Sequence, residues 1–137
     1  MNRQIILDTG PLVAYLQPDD AFHDWAVSVA RTLSGPLLTS EPVLTEAAFL
    51  LMRGGTTPEL LFDLVESGLL KIAFNLEREL PHLRKMMRRY ANLPMSLADA
   101  SLVRLAELFP HATVWTLDRH FTIYRKQDRL IVPTIIP

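Results

Sequence analysis

Residues 4–16, QIILDTGPLVAYL, decide how the chain reads. Ile5, Ile6 and Leu7 make the apolar run of a short buried strand, and Leu12, Val13 and Leu16 recur at the spacing of a helix face. Pro11 suits the first turn of that helix, where its missing N–H would have no partner anyway. Between the two elements stands Asp8, a carboxylate at the mouth of a hydrophobic core. A strand that runs straight into a helix predicts an α/β fold, and the charge at the junction requires a neutralising partner.

Working outward, the same alternation continues. A helix is expected over Ala21–Leu33, broken by Gly35-Pro36, then a weak strand over Leu37–Thr39. Ser40 caps a helix over Glu41–Arg53, and Thr57-Pro58 starts another that runs to Ser67. Leu69–Phe74 is the next strand. Leu76, Leu80, Leu83, Met87 and Tyr90 then form an amphipathic seam, with Pro81 marking its firm start. The Met86-Met87 pair lies on or beside that seam. Ser96 opens a helix to Leu108, Thr113–Leu117 is a β-branched and aromatic strand, a short helix covers Arg119–Arg125, and Leu130–Val132 is the last strand. Strands separated by helices predict parallel pairing through right-handed crossovers. Ligands of such sheets bind beyond the carboxyl ends of the strands. Asp8 and Asp118 both follow strands.

The bulk numbers agree with one domain spanning residues 1–137. Composition is 49% hydrophobic and 21% charged, and there is no cysteine, which excludes disulfides and thiolate metal sites. The longest apolar run, Ala47–Met52, is too short for a membrane span, which needs about 18 residues. The N-terminus lacks the parts of a signal peptide, so a cytoplasmic protein is expected. Net charge is −1, which excludes a generic basic nucleic-acid binder, yet the charge is uneven. Residues 1–76 hold nine acids and four bases, net −5, whereas residues 77–137 hold six acids and ten bases, net +4. A polyanion could approach that second half.

Each notable acid also has an ordinary structural reading. Asp8 can cap the following helix. Glu46, set among core formers in VLTEAAFLLM, can pair with Arg53 or stand exposed at the edge of the apolar face. Asp99 completes a capping box that begins at Ser96. Asp118 can cap the short helix after it. The histidines, His23, His82, His111 and His120, lack metal-site spacing. His120 could approach a phosphate, but it reads better as a lone surface histidine.

The acids taken together say more. In a parallel sheet, Asp8, Glu46, Asp99 and Asp118 converge at one edge. Four carboxylates within a few ångströms cannot all be ionised unless a cation neutralises them. All-oxygen ligation favours magnesium or manganese. Gly10 permits close backbone approach, and the hydroxyls of Thr9 and Thr116 can hold a water or ligand.

The segments IILDTGPLVAYL, VLTEAAFLL, SLADASLVRLAE and VWTLDRHFTIYR resemble, in order and spacing, the four acidic motifs of PIN-domain ribonucleases. The resemblance is closest to the small VapC-type toxins of toxin–antitoxin pairs and covers nearly the whole chain. It matches Asp8, Glu46, Asp99 and Asp118 to the family's catalytic, metal-binding quartet, and Thr116 to a polar position before the last acid. It implies a three-layer α/β/α sandwich with a short, mainly parallel sheet. It also implies magnesium- or manganese-dependent hydrolysis of RNA phosphodiesters to 5′-phosphate and 3′-hydroxyl ends. A homodimer and a cognate antitoxin that covers the acidic site are further implications.

RNA could approach along Arg84, Lys85, Arg88 and Arg89, or along Arg119, Arg125 and Lys126; both clusters read equally as solvated faces. Three alternatives stand beside the toxin reading. One is a free-standing PIN nuclease, and another is a non-catalytic PIN scaffold. The third is a receiver-type signalling domain, which would need an aspartate where IAFN ends at Asn75, and a lysine after the last strand.

Overall fold

The computed structural model describes residues 3–137. Its main sheet has five strands, all parallel, in the order β3-β2-β1-β4-β7. These are β1 (Ile5–Leu7), β2 (Leu37–Thr39), β3 (Leu70–Ile72), β4 (Thr113–Trp115) and β7 (Thr134–Ile135). The helices are α1 (Thr9–Leu16), α2 (His23–Ala30), α3 (Glu41–Arg53), α4 (Glu59–Glu66), α5 (Leu76–Arg89) and α6 (Leu97–Leu108). A small antiparallel hairpin, β5 (Arg125–Lys126) with β6 (Leu130–Ile131), stands apart from the main sheet. None of the described helices is long and apolar enough to cross a membrane.

β1 is central because it is apolar on both faces: Ile5, Ile6 and Leu7 are all buried, as expected for a strand covered on both sides. α6 packs on β1 and β4. Eight of its twelve residues are buried, and its small residues Ala98, Ala100, Ser101 and Ala106 let it lie close to its neighbours. Trp115 meets Trp25 of α2 edge-on at 6.3 Å, and so ties the sheet to the α1–α2 layer. The alternation predicted the parallel pairing, and the result is the α/β/α sandwich that the resemblance implied.

Three local expectations need correction. α5 starts at Leu76 and carries Pro81 inside it, because the Asn75 side chain accepts the Arg78 N–H at 3.0 Å and caps the helix five residues earlier than Pro81 suggested. Its inward face keeps Leu83, with Leu76, Met87 and Tyr90 half-buried against the core, but not Leu80. Leu80 is exposed, while Glu79 is buried and paired to Arg104 at 2.8 Å. The buried seam is therefore Glu79, Leu83 and Met86, with Met87 only half-buried. Ser40 precedes α3 but does not cap it by its side chain; its hydroxyl meets that of Ser101 at 2.7 Å and joins α3 to α6.

The C-terminal part differs as well. Residues 119–122 form one 3-10 turn, and Leu130–Ile131 pairs in the hairpin rather than closing the main sheet. The closing strand is β7, between Pro133 and Pro137, and its edge position is where flanking prolines do least harm. Asn75, at the position where a receiver domain would need its aspartate, serves as a helix cap.

Pro81 leaves the Glu77 carbonyl without its helical donor, on an exposed stretch of α5. Pro81→Ala is expected to raise stability by about 1–3 kcal/mol, read as a higher urea midpoint with an unchanged slope.

Candidate active site

Parallel pairing puts the carboxyl ends of β1 and β4 side by side, and the acids are attached there. The Asp8 N–H donates to the Trp115 carbonyl at 3.0 Å, so the residue after β1 is still tied to β4. Asp8 Oδ1 accepts the Thr9 N–H at 2.7 Å, and Oδ2 accepts the Thr116 hydroxyl at 2.7 Å. The cap reading of Asp8 is realised. Thr116 Oγ1 also accepts the Asp118 N–H at 2.9 Å. Asp118 Oδ1 then takes two contacts from His120: the N–H at 2.9 Å and ring Nδ1 at 2.8 Å. On the other side, Thr9 donates its hydroxyl to Glu46 Oε2 at 3.1 Å. One hydrogen-bonded line therefore runs Glu46–Thr9–Asp8–Thr116–Asp118–His120.

Asp99 joins from the N-terminus of α6. The capping box is complete: Ser96 Oγ accepts the Asp99 N–H, and Asp99 Oδ2 accepts the Ser96 N–H, each at 3.0 Å. The Tyr124 hydroxyl donates to the same Oδ2 at 3.4 Å. Asp99 Oδ1 and Asp118 Oδ2 thus have no protein donor among the described residues, whereas both oxygens of Asp8 are taken. Gly10 permits the close packing here, since a Cβ on it would meet the Leu117 side chain at 3.0 Å.

The electrostatics show that the charges of the three aspartates act on one another. Burial pushes the Asp8 carboxyl from 3.8 up to about 6; hydrogen bonds from Thr116 and Thr9 oppose this, and the charges of Asp99 and Asp118 add to it. Asp99 is raised too, first by burial and then by the Asp118 charge, against its bonds from Ser96 and Tyr124. Burial holds the Tyr124 phenol well above its usual range, and the negative charges of Asp99, Asp118 and Asp8 reinforce it.

Among the described residues, no three His, Cys, Asp or Glu side chains stand close enough to form a ready metal cage. A closed cage suits zinc better than magnesium, which keeps several waters and is commonly held by only one or two carboxylates. Asp99 Oδ1 and Asp118 Oδ2, with the neighbouring Asp8 charge, fit such open, all-oxygen coordination. Glu46 is exposed at the rim and touches this group only through Thr9. Arg53 lies 5.7 Å over the Phe49 ring, and no ion pair with Glu46 forms among the described residues.

The basic residues divide. Arg84, Lys85 and Arg88 are exposed on α5 with no ion pair among the described residues, while Arg89 contacts Asp128 at 3.5 Å. Arg119 is exposed and donates to the Pro137 carbonyl at 2.9 Å. Lys126 must be removed from the RNA-contact group: it is buried, with its ammonium on the Pro110 carbonyl at 3.2 Å. Arg125 is half-buried and spends Nη1 on the carbonyls of Thr122, Ile123 and Tyr124. Sequence reasoning did not single out Tyr124, although it stands six residues after Asp118 within the segment VWTLDRHFTIYR.

A family model described as the PIN domain matches residues 5–127. Among solved structures, VapC20 of Mycobacterium tuberculosis, described as a sarcin-ricin-loop-cleaving toxin, matches with a TM-score of 0.80 and 19% identity. That match covers 88% of this chain and 94% of the other. No curated protein matches the chain.

The raised Asp8 value sets a pH dependence. Between 3.8 and about 6 the folded protein keeps a proton that the unfolded chain has lost. Without divalent cations, stability therefore falls as pH rises through that window and levels off above it, at a cost on the order of 3 kcal/mol. Asp8→Asn is expected to raise the melting temperature in EDTA at pH 7.5 and to leave it nearly unchanged near pH 3.5. Differential scanning calorimetry at the two pH values measures this.

Proposed function

The chain belongs to the PIN domain family, and from that premise we propose that it is a metal-dependent endoribonuclease and the toxin of a toxin–antitoxin pair. The observation that supports the reading is that Asp8 and Asp99 are buried and stand near enough to Asp118, beyond the carboxyl ends of β1 and β4, for the charges to act on one another. Glu46 stands at the rim of this group.

In this reading magnesium or manganese is held by Asp99 and Asp118, with Asp8 supplying further negative charge. When bound, the ion supplies an activated water and offsets charge on the phosphate. The chain's own residues do the rest. Ser96 and His120 each occupy one oxygen of Asp99 or Asp118 and leave the other free. Thr116 holds Asp8 and the Asp118 backbone in mutual register. Thr9 tethers Glu46 to the first turn of α1. No cysteine or histidine nucleophile is needed.

Arg84, Lys85, Arg88 and Arg89 on α5, and Arg119 beside Asp118, are the proposed phosphate contacts, so RNA affinity falls steeply with salt. Family membership supports the same proposal for a homodimer, a cognate antitoxin and a cytoplasmic site of action. The open arrangement of the acids favours one second reading, a PIN scaffold without catalysis.

The two readings separate in one experiment. RNA is incubated with the purified chain in magnesium, in EDTA, and with Asp99→Asn or Asp118→Asn. Cleavage is expected in magnesium alone, with each variant slower by about a hundredfold or more. Equal cleavage in every condition would mark a contaminant. Intact RNA throughout, with folded protein by circular dichroism, would leave the scaffold.

A further inference from the structure

Tyr124 is fully buried, yet its hydroxyl reaches the carboxylate pocket. Its ring is held from several sides. Tyr90, just past the end of α5, packs edge-on at 5.1 Å, Phe121 edge-on at 5.3 Å, and His120 stacks at 6.4 Å with 27° between the planes. Tyr90 is itself anchored, since its hydroxyl accepts the Arg125 N–H at 2.9 Å. The phenol therefore has little freedom to choose its acceptor, and that acceptor is Asp99 Oδ2. At 3.4 Å the contact is long for O–H···O. The field of the three aspartates adds to it in orienting the proton.

The same ring supports a second acid. His120 lies against it and places Nδ1 on Asp118 Oδ1 at 2.8 Å. Asp99 arrives from α6 and Asp118 from the end of β4, and no hydrogen bond joins these two acids directly among the described residues. Tyr124 bridges them, by its hydroxyl to one and by its ring to the partner of the other.

We propose that Tyr124 is a positioning residue, which holds Asp99 and Asp118 in the mutual arrangement that a divalent cation requires. The inference rests on the metal-dependent reading above. Its role is to join the Ser96 N–H on Asp99 Oδ2 as a second donor and to support the His120 ring, so that Asp99 Oδ1 and Asp118 Oδ2 stay available together. Partners of this kind, one step behind the ligands, commonly change metal affinity by about 10–100-fold when removed.

The test is manganese binding by calorimetry on the full chain, with melting temperature in EDTA and RNA cleavage kinetics measured beside it. Tyr124→Phe keeps the ring and removes only the hydroxyl. It is expected to weaken manganese binding by about tenfold and to lower kcat, with the KM for RNA and the metal-free melting temperature unchanged. Tyr124→Leu also removes the support under His120 and is expected to weaken binding further. Manganese affinity in Tyr124→Phe equal to wild type would overturn the proposal. So would a raised KM with unchanged manganese affinity, which would make the hydroxyl a substrate contact. Failure of the wild-type chain to bind manganese would overturn the metal reading and this inference with it.

Discussion

The bond from Thr116 to Asp8 closes the one gap that the rest of the site depends on. β1 and β4 end side by side, and just beyond them the backbone must diverge into a helix on one side and a 3-10 turn on the other. At that divergence the Asp8 carboxylate is buried, where ionisation is costly. The Thr116 hydroxyl and the Thr9 N–H offset part of that cost by donating to the two Asp8 oxygens. Because Thr116 Oγ1 also accepts the Asp118 N–H, the same atom sets where the next acid begins.

Several residues here serve the fold and the site at once. Asp8 caps α1, Asp118 caps the 3-10 turn and Asp99 completes the capping box that Ser96 opens on α6, each through one carboxylate oxygen. A cap needs only one oxygen. The second oxygen of Asp99 and of Asp118 is then free for a ligand, while that of Asp8 is used to join two strands. Helix capping and ligand binding do not compete in this arrangement, and a helix N-terminus favours negative charge in any case. Like charge repels within the pocket, and the raised values of Asp8 and Asp99 express that repulsion together with burial.

Much of this was legible in the chain because the governing contacts are short-range. The apolar run before Asp8, the Ser96–Asp99 box and the strand before Asp118 each lie within a few residues. The order of the acids carried the resemblance to PIN-domain ribonucleases, and the family match and fold agree with it. Glu46 was legible as an acid in an odd place, but its Thr9 partner lies 37 residues away. Lys126 looked like an ordinary surface cation, yet it is buried with its ammonium on a carbonyl 16 residues earlier.

By itself the sequence determined the alternation of strand and helix, the three capping aspartates, and the prospect that they meet at one edge of a parallel sheet. Periodicity and capping are settled by neighbours along the chain. Only the tertiary structure decided which face of α5 turns inward, that β7 rather than β6 closes the sheet, which carboxylate oxygens stay free, and that Tyr124 stands beneath His120 and beside Asp99. Those outcomes depend on partners that are distant in sequence. A buried Glu79 is tolerable only because Arg104, 25 residues later, lies against it in space.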